Sequence, residues 1–203
     1  MIALIDYNVG NLKSVINAFN AIGQKIDIIK NPNELKNYQK AILPGVGAFG
    51  DAMKHLKQNG MNEAVLEFAK KGKPLLGICL GMQLLFEKSE EFGSNEGLGL
   101  IDGKIVLFDK TKFEKPLKIP HVGWNSLNIK KESKLLKEIK NGTYLYFVHS
   151  FHVKTDEKNI IGTTFYGYDF ASTVEKGNIF GFQPHPEKSH EDGLKILKNF
   201  TEL

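Results

Sequence analysis

The hydrophobic pattern of this chain predicts a three-layer α/β fold: a mainly parallel central sheet, helices on both faces, and a more antiparallel, β-rich C-terminal half. Three observations carry that prediction. In the first half, short apolar runs alternate with stretches of helical spacing. Glycine-bearing turns close several of the runs. Beyond about Asn95, strand-like runs follow one another through short turns. Residues 2–6 read as a short buried strand. Gly10-Asn11 then opens a helix whose apolar residues Leu12, Val15, Ile16, Phe19 and Ile22 recur at helical spacing, with Gly23 as its stop. A second strand is expected at about 25–29 and a third at 41–43, closed by Pro44-Gly45-Val46-Gly47. Helices over roughly 48–58 and 61–71 precede the apolar run that ends at Cys79. Runs near 105–108, 143–148, 160–165, 171–175 and 178–182 read as strands, and only 191–200 is clearly helical again. No linker, repeat or low-complexity segment divides the chain, so residues 1–203 are expected to form one domain.

The 203 residues are 41% hydrophobic and 25% charged, which suits a domain with a sizeable core. A single cysteine cannot form an internal disulfide, so nothing asks for an oxidising compartment. The opening residues carry no basic leader, and their apolar run is too short for a signal or membrane segment; a cytoplasmic protein is expected. The net charge of +4 comes from 27 cationic residues, all of them lysine. Without arginine, bidentate contacts to guanine or phosphate are missing. The lysines are also interleaved with glutamates, as in Lys130-Lys131-Glu132-Ser133-Lys134-Leu135-Leu136-Lys137-Glu138. A solvated helix face explains that stretch better than a phosphate-binding stripe. Neither nucleic acid nor a membrane is an expected partner.

The chemistry begins at Cys79, in Gly77-Ile78-Cys79-Leu80-Gly81-Met82-Gln83. An apolar run ending on Gly-x-Cys-x-Gly, with a helix-like stretch directly after it, is the layout of a nucleophile elbow that carries a thiol. Such a strand-to-helix turn is sharp, and its flanking residues must be small. A thiol at the first turn of a helix is also favoured as the thiolate. The plainer alternative is a small buried hydrophobe. An oxyanion hole needs two backbone N–H groups; Leu80 is placed for one, and the Gly45-Val46-Gly47 loop, one strand–helix unit earlier, for the other.

The base candidate is His185, in Gln183-Pro184-His185-Pro186-Glu187-Lys188. A thiol nucleophile needs an imidazole to take its proton and later protonate the leaving group, and that imidazole needs an orienting partner. In a segment held extended by its two prolines, Glu187 points the same way as His185 and can stand behind it. A surface His–carboxylate pair is the competing reading. His149 and His152, three apart in a strand-like stretch, are expected on opposite faces, unable to clasp one metal. His121 follows a proline, and His55 and His190 fall in polar helical surroundings. No metal is expected, and no glycine-rich phosphate-binding motif follows a strand.

The elbow together with His185-Pro186-Glu187 resembles the class I (triad) glutamine amidotransferases. Four further segments resemble, more narrowly, the glutaminase subunits of imidazole glycerol phosphate synthases. They are Leu43-Pro44-Gly45-Val46-Gly47-Ala48-Phe49, Glu96-Gly97-Leu98-Gly99-Leu100-Ile101, Pro120-His121-Val122-Gly123-Trp124-Asn125 and Tyr146-Phe147-Val148-His149-Ser150-Phe151. The likeness covers essentially the whole chain. It implies that Cys79 attacks the amide of L-glutamine, that His185 protonates the departing ammonia, and that Glu187 orients His185. It also implies that Leu80 and the Gly45, Val46 and Gly47 loop form the oxyanion hole, and that Gln83, Ser150 and Phe151 hold glutamine. No cofactor is implied. The implied partner is a (β/α)8-barrel cyclase, which receives ammonia and converts a ribonucleotide to imidazole glycerol phosphate and an aminoimidazole carboxamide ribonucleotide in histidine biosynthesis. Asn11, Trp124, Tyr146 and Lys188 match partner-facing or coupling positions, with core or rim packing as the alternative for the two aromatics. One departure from the family pattern is Pro184, where a residue bearing an N–H is usual. Two other functions remain open at this point: a paralogue feeding ammonia to a different barrel, such as a surface-sugar amidation enzyme, and a stand-alone cysteine hydrolase.

Overall fold

The computed structural model describes residues 1–203. Its strands are β1 (Ile2–Ile5), β2 (Asp27–Ile29), β3 (Lys40–Leu43), β4 (Leu75–Ile78), β5 (Phe86–Ser89), β6 (Asn95–Glu96) and β7 (Ile101–Leu107). They continue as β8 (His121–Ser126), β9 (Asn128–Ile129), β10 (Tyr144–His149), β11 (Phe151–Lys154), β12 (Ile160–Phe165), β13 (Asp169–Lys176) and β14 (Ile179–Phe182). The helices are α1 (Leu12–Ala21), α2 (Pro32–Leu35), α3 (Phe49–Gln58), α4 (Met61–Lys70), α5 (Leu80–Leu84) and α6 (His190–Thr201).

The main sheet runs β2-β1-β3-β4-β14-β13-β11-β7-β5-β6, and β12 pairs with β13 and with β9. From β2 to β14 every pairing is parallel; from β14 through β13, β11 and β7 the pairings are antiparallel, and β5 pairs in parallel with β7 and antiparallel with β6. Alternation along the parallel strands sends successive residues to opposite faces. Ile2, Leu4, Ile42, Leu76 and Ile78 pack with Val15 and Phe19 of α1 and Ile196 and Phe200 of α6. Ala3, Ile5, Ala41 and Leu43 pack with Phe49 and Leu56 of α3 and Val65 and Phe68 of α4. Burying one such phenylalanine is worth about 2–3 kcal/mol, so both helical layers are held mainly by these stripes.

The ribbon β8–β10 stands apart from the main sheet, with His121 opposite His149 and Trp124 opposite Tyr146. Period two divides it as well. Leu145, Phe147, His149 and His121 are buried, while Val122, Trp124, Tyr144 and Val148 are exposed.

Some expectations shift. The stretch 130–138 is not a helix but a loop with one 3-10 turn, Lys134–Leu136. Leu135 and Leu136 are both buried, and the Asn199 side chain donates to the Leu135 and Lys137 carbonyls at 3.0 and 2.8 Å. Tertiary contacts therefore take the backbone groups that a helix would have used. The strands β5, β6, β8 and β9 lie outside the strand-like runs of the sequence, because polar residues interrupt their apolar alternation, and the strand-like stretch around His149 and His152 is split into β10 and β11. No helix is long and apolar enough to cross a membrane.

Candidate active site

Cys79 sits between β4 and α5 with φ 54° and ψ −113°, a rare conformation for a non-glycine residue. Its N–H donates to the Phe182 carbonyl at 2.7 Å, which ties the elbow to the neighbouring strand β14. The glycines are required by close backbone approach. A Cβ at Gly81 would lie 1.8 Å from the Leu43 carbonyl oxygen, and one at Gly77 would lie 2.6 Å from the Gly81 oxygen. α5 has five residues, so the helix dipole at Cys79 is weaker than the sequence reading supposed.

The loop after β3 presses on the elbow. A Cβ on Gly45 would meet the Gly81 nitrogen at 2.9 Å and the Tyr7 hydroxyl at 2.7 Å. Tyr7 donates from that hydroxyl to the Pro44 carbonyl at 2.8 Å. Burial, and then the charge of Cys79, pushes the Tyr7 phenol above its ordinary range, so it remains a neutral donor. Tyr7 was not foreseen; nothing local marks a tyrosine after a strand as a support for a loop 37 residues later.

His185 and Glu187 follow β14. His185 Nδ1 lies 2.7 Å from Glu187 Oε1, and both side chains are only 3% exposed. Their meeting is not that of an extended segment, because Pro186–Lys188 forms a 3-10 turn that curls the carboxylate back onto the ring. Despite Pro184, the chain keeps its anchor: the His185 N–H donates to the Tyr146 carbonyl at 2.8 Å. Burial alone would lower the His185 pKa. Hydrogen bonding to Cys79 and Glu187, with the charges of both, overcomes this and raises it to about 10. The imidazole is therefore protonated at neutral pH. Its Nε2 is buried without an oxygen or nitrogen partner, on a cavity it shares with the Cys79 sulfur.

That cavity has a volume of about 360 Å³. Val46, Gly47, Cys79, Leu80, Gln83, Ser150, Phe151 and His185 line it, as expected, and Gly45 lies just behind, against the elbow. Glu91, Pro120, Val148 and His149 complete the wall and were not foreseen. Glu91 Oε2 accepts from the Phe49 N–H at 2.7 Å, which caps the start of α3 and fixes a carboxylate at the cavity rim. Gln83 Nε2 donates to the Phe151 carbonyl at 3.1 Å and to Gln183 Oε1 at 2.9 Å, while Gln183 Nε2 lies 3.8 Å from the Cys79 sulfur. A larger cavity, about 840 Å³, lies over the 131–139 loop but is lined by no cysteine or histidine. Chemistry, not size, selects the site.

Of the partner-facing candidates, three cluster beside His185. The Tyr146 ring lies 5.9 Å from Trp124 and 6.4 Å from His185, and Lys188 Nζ lies 5.9 Å from the Tyr146 ring. Trp124 is half exposed rather than core. Asn11 stands elsewhere, as the N-cap of α1, its Oδ1 accepting from the Ser14 N–H. One histidine expectation is refined and one is corrected. His190, exposed at the start of α6 beside Glu191 and Asp192, also stacks on Trp124 at 4.7 Å. His149 and His152 do not face apart: the strand breaks at Ser150, and both rings pack on Phe108, at 5.3 and 4.8 Å. No group of three or more His, Cys, Asp or Glu side chains is close enough to share a metal ion.

The family model described as glutamine amidotransferase class-I matches residues 3–203. An imidazole glycerol phosphate synthase subunit HisH from Wolinella succinogenes is 60% identical, covering 100% of this chain and 100% of that relative. Its namesake from Sulfurimonas denitrificans is 62% identical, covering 99% of this chain and 97% of that protein. Among solved structures, PurLQS from Thermotoga maritima superposes with a TM-score of 0.78 at 21% identity, covering 99% of this chain and 97% of that one. Identity that low speaks for the fold alone. The full-length sequence matches speak for more: the chain belongs to the class-I glutamine amidotransferase family, within its imidazole glycerol phosphate synthase subunit HisH group.

Proposed function

We propose that this chain is the glutaminase subunit of an imidazole glycerol phosphate synthase, hydrolysing L-glutamine and delivering the ammonia to a (β/α)8-barrel cyclase subunit in the cytoplasm. The observation that carries the reading is the assembly of Cys79, buried His185 and Glu187 around one small cavity, in a chain 60% identical to a HisH subunit over its whole length. In this reading residues 1–203 act as one amidotransferase domain.

The Cys79 thiolate attacks the side-chain amide carbon of glutamine. Negative charge gathers on the amide oxygen and is met by the N–H of Leu80 and an N–H of the Gly45–Val46–Gly47 loop. His185, protonated and steadied by Glu187, gives its proton to the leaving nitrogen, and ammonia departs. Water then attacks the thioester, with His185 as base, and glutamate is released. Gln83, Ser150 and Phe151 hold the substrate, and the Glu91 carboxylate is suited to its α-ammonium group. Free ammonia is largely protonated in neutral water and loses its nucleophilicity, which gives a physical reason for a docked partner. The exposed Trp124, Tyr146 and Lys188 cluster supports docking there. It abuts the strand whose Tyr146 carbonyl anchors His185, so a grip on the ribbon acts one residue from the base. Asn11 marks a second, lesser contact.

The test is glutamate release with and without the barrel subunit and its ribonucleotide ligand. Activity is expected to be weak alone and to rise strongly in the complex. Cys79→Ala is expected to lower glutamine hydrolysis by about 10⁴-fold or more while ammonia-dependent synthesis and assembly persist. Full activity of the isolated chain would favour a stand-alone hydrolase. Rescue of a histidine auxotroph separates the histidine pathway from a paralogous synthase.

A further inference from the structure

A run of hydrogen bonds that the triad does not use joins the β8–β10 ribbon to the cavity wall. Asn125 Nδ2 lies 3.2 Å from His121 Nε2, His121 Nδ1 lies 3.1 Å from His149 Nε2, and His149 Nδ1 lies 2.7 Å from the Phe151 carbonyl oxygen. One set of protons satisfies the run. A carbonyl only accepts, so His149 carries its hydrogen on Nδ1. A neutral His149 then accepts at Nε2, His121 donates from Nδ1, and His121 Nε2 accepts from the Asn125 amide. The orientation of Asn125 is fixed independently: its Oδ1 accepts from the Ser126 N–H at 2.8 Å, and its Nδ2 also donates to the Phe165 carbonyl at 2.9 Å. Burial lowers the His121 and His149 pKa values to about 4 and about 3, which keeps both rings neutral. The run ends on a carbonyl that also accepts from Gln83 Nε2, so both of its lone pairs are engaged.

We infer that His149, keyed by His121, is a positioning residue for glutamine hydrolysis: the pair locks the Ser150–Phe151 wall against Gln83 and ties it to the strand that carries Trp124. This rests on the glutaminase reading above. His149 lines the cavity, whereas His121 lies behind it, stacked between Phe147 at 4.9 Å and Tyr166 at 4.0 Å. His121 therefore acts through His149 alone. Removing its nitrogens leaves a buried Nε2 with no donor, and the ring that orients Phe151 loses its register.

The test uses the complex with the barrel subunit and its ligand. His121→Phe keeps a stacked ring and removes both nitrogens. KM for glutamine is expected to rise about tenfold with kcat changed less than about threefold, and ammonia-dependent synthesis unchanged. His149→Leu is expected to match or exceed it, while His149→Asn, which retains an N–H donor toward the Phe151 carbonyl but loses the acceptor for His121, is expected to fall between His149→Leu and the parent in KM. In the unsubstituted protein, imidazole ¹⁵N resonances are expected to report hydrogen on Nδ1 of His149 and a bare Nε2, a readout that depends on no variant folding. Hydrogen on Nε2, an unchanged KM in His121→Phe, or an Asn variant as damaged as Leu would each overturn the inference. If Cys79→Ala still hydrolysed glutamine, the glutaminase reading itself would fall; if it is inactive and His121→Phe behaves as the parent, only the positioning role falls.

Discussion

In the parallel half of the main sheet, the ends of β4 and β14 deliver Cys79, His185 and Glu187; in the antiparallel half of the molecule, the end of β10 in the separate ribbon and the start of β11 in the main sheet deliver His149, Ser150 and Phe151. The histidines of the two halves sit in opposite electrostatic states. His185 is buried, yet Cys79 and Glu187 raise its pKa to about 10. His121, His149 and His152 are buried among aromatic rings with no carboxylate partner, and desolvation lowers them to about 4, 3 and 4. Burial alone neutralises an imidazole; burial beside Glu187 and Cys79 charges it. The chain thus places a charged imidazole beside Cys79 in one half and uncharged imidazoles in the other.

The comparison breaks most visibly at Gly81. Its missing Cβ is what lets the β3 backbone touch the elbow, so Gly81→Ala is expected to cost at least about 5 kcal/mol, read from the urea midpoint. In the antiparallel half, Gly142 has φ +86° but open space around it, and Gly142→Ala is expected to cost only about 1 kcal/mol. Equal costs would mean that the elbow is not backbone-limited.

Acid should open the antiparallel half next. The unfolded chain takes up protons on these histidines below about pH 6.5, while the folded chain resists until about 4 and 3. Stability present above pH 6.5 is therefore lost as pH falls through that window, about 2 kcal/mol for each of the three histidines and together about 6 kcal/mol at pH 5. His185 works the other way: its contribution is full below pH 6.5 and is lost as pH rises through about 10. Hydrogen exchange at pH 5 is expected to accelerate first in β8 and β10, and protection that fell uniformly would contradict the division.

Glu187→Gln removes the charge but not the shape behind His185. We expect kcat to drop about 10²-fold and stability at neutral pH to fall as well, because part of the stabilisation carried by the charged His185 is lost. NMR titration should find His185 still protonated at pH 8 in the parent and losing its proton at lower pH in the variant; a parent His185 titrating near the ordinary value would sink the charged-base account. The smallest effect concerns the outward ribbon. Trp124→Ala should weaken partner binding about tenfold, measured by calorimetry, with no shift in the Tm of the isolated chain. A fallen Tm would make Trp124 a packing residue.

The parallel half was legible in the sequence because its signals are local. Short apolar runs set β1 and β3, helical spacing sets α1, α3 and α4, and Gly77 and Gly81 mark the elbow within five residues. The antiparallel half was read less well. β8 and β11 are laced with polar residues whose partners lie far along the chain, and the Lys130–Glu138 run looked helical only because its capping contact, Asn199, is out of local view. Tyr7, Glu91, Gln183 and the His121–His149 pair were missed for the same reason: each acts on something distant in sequence.

The sequence by itself determined the Cys79, His185 and Glu187 set that we propose as the triad, the glycines that permit the elbow, and the family to which they belong, because each is written in short contiguous segments. Only the tertiary structure decided that Glu187 reaches His185 through a 3-10 turn, that His185 is charged while three other buried histidines are neutral, and that the ribbon carries Trp124 outward and His121 inward. Protonation depends on which groups share a cavity, and faces depend on what covers them. Both are set by contacts between residues that chain order keeps apart.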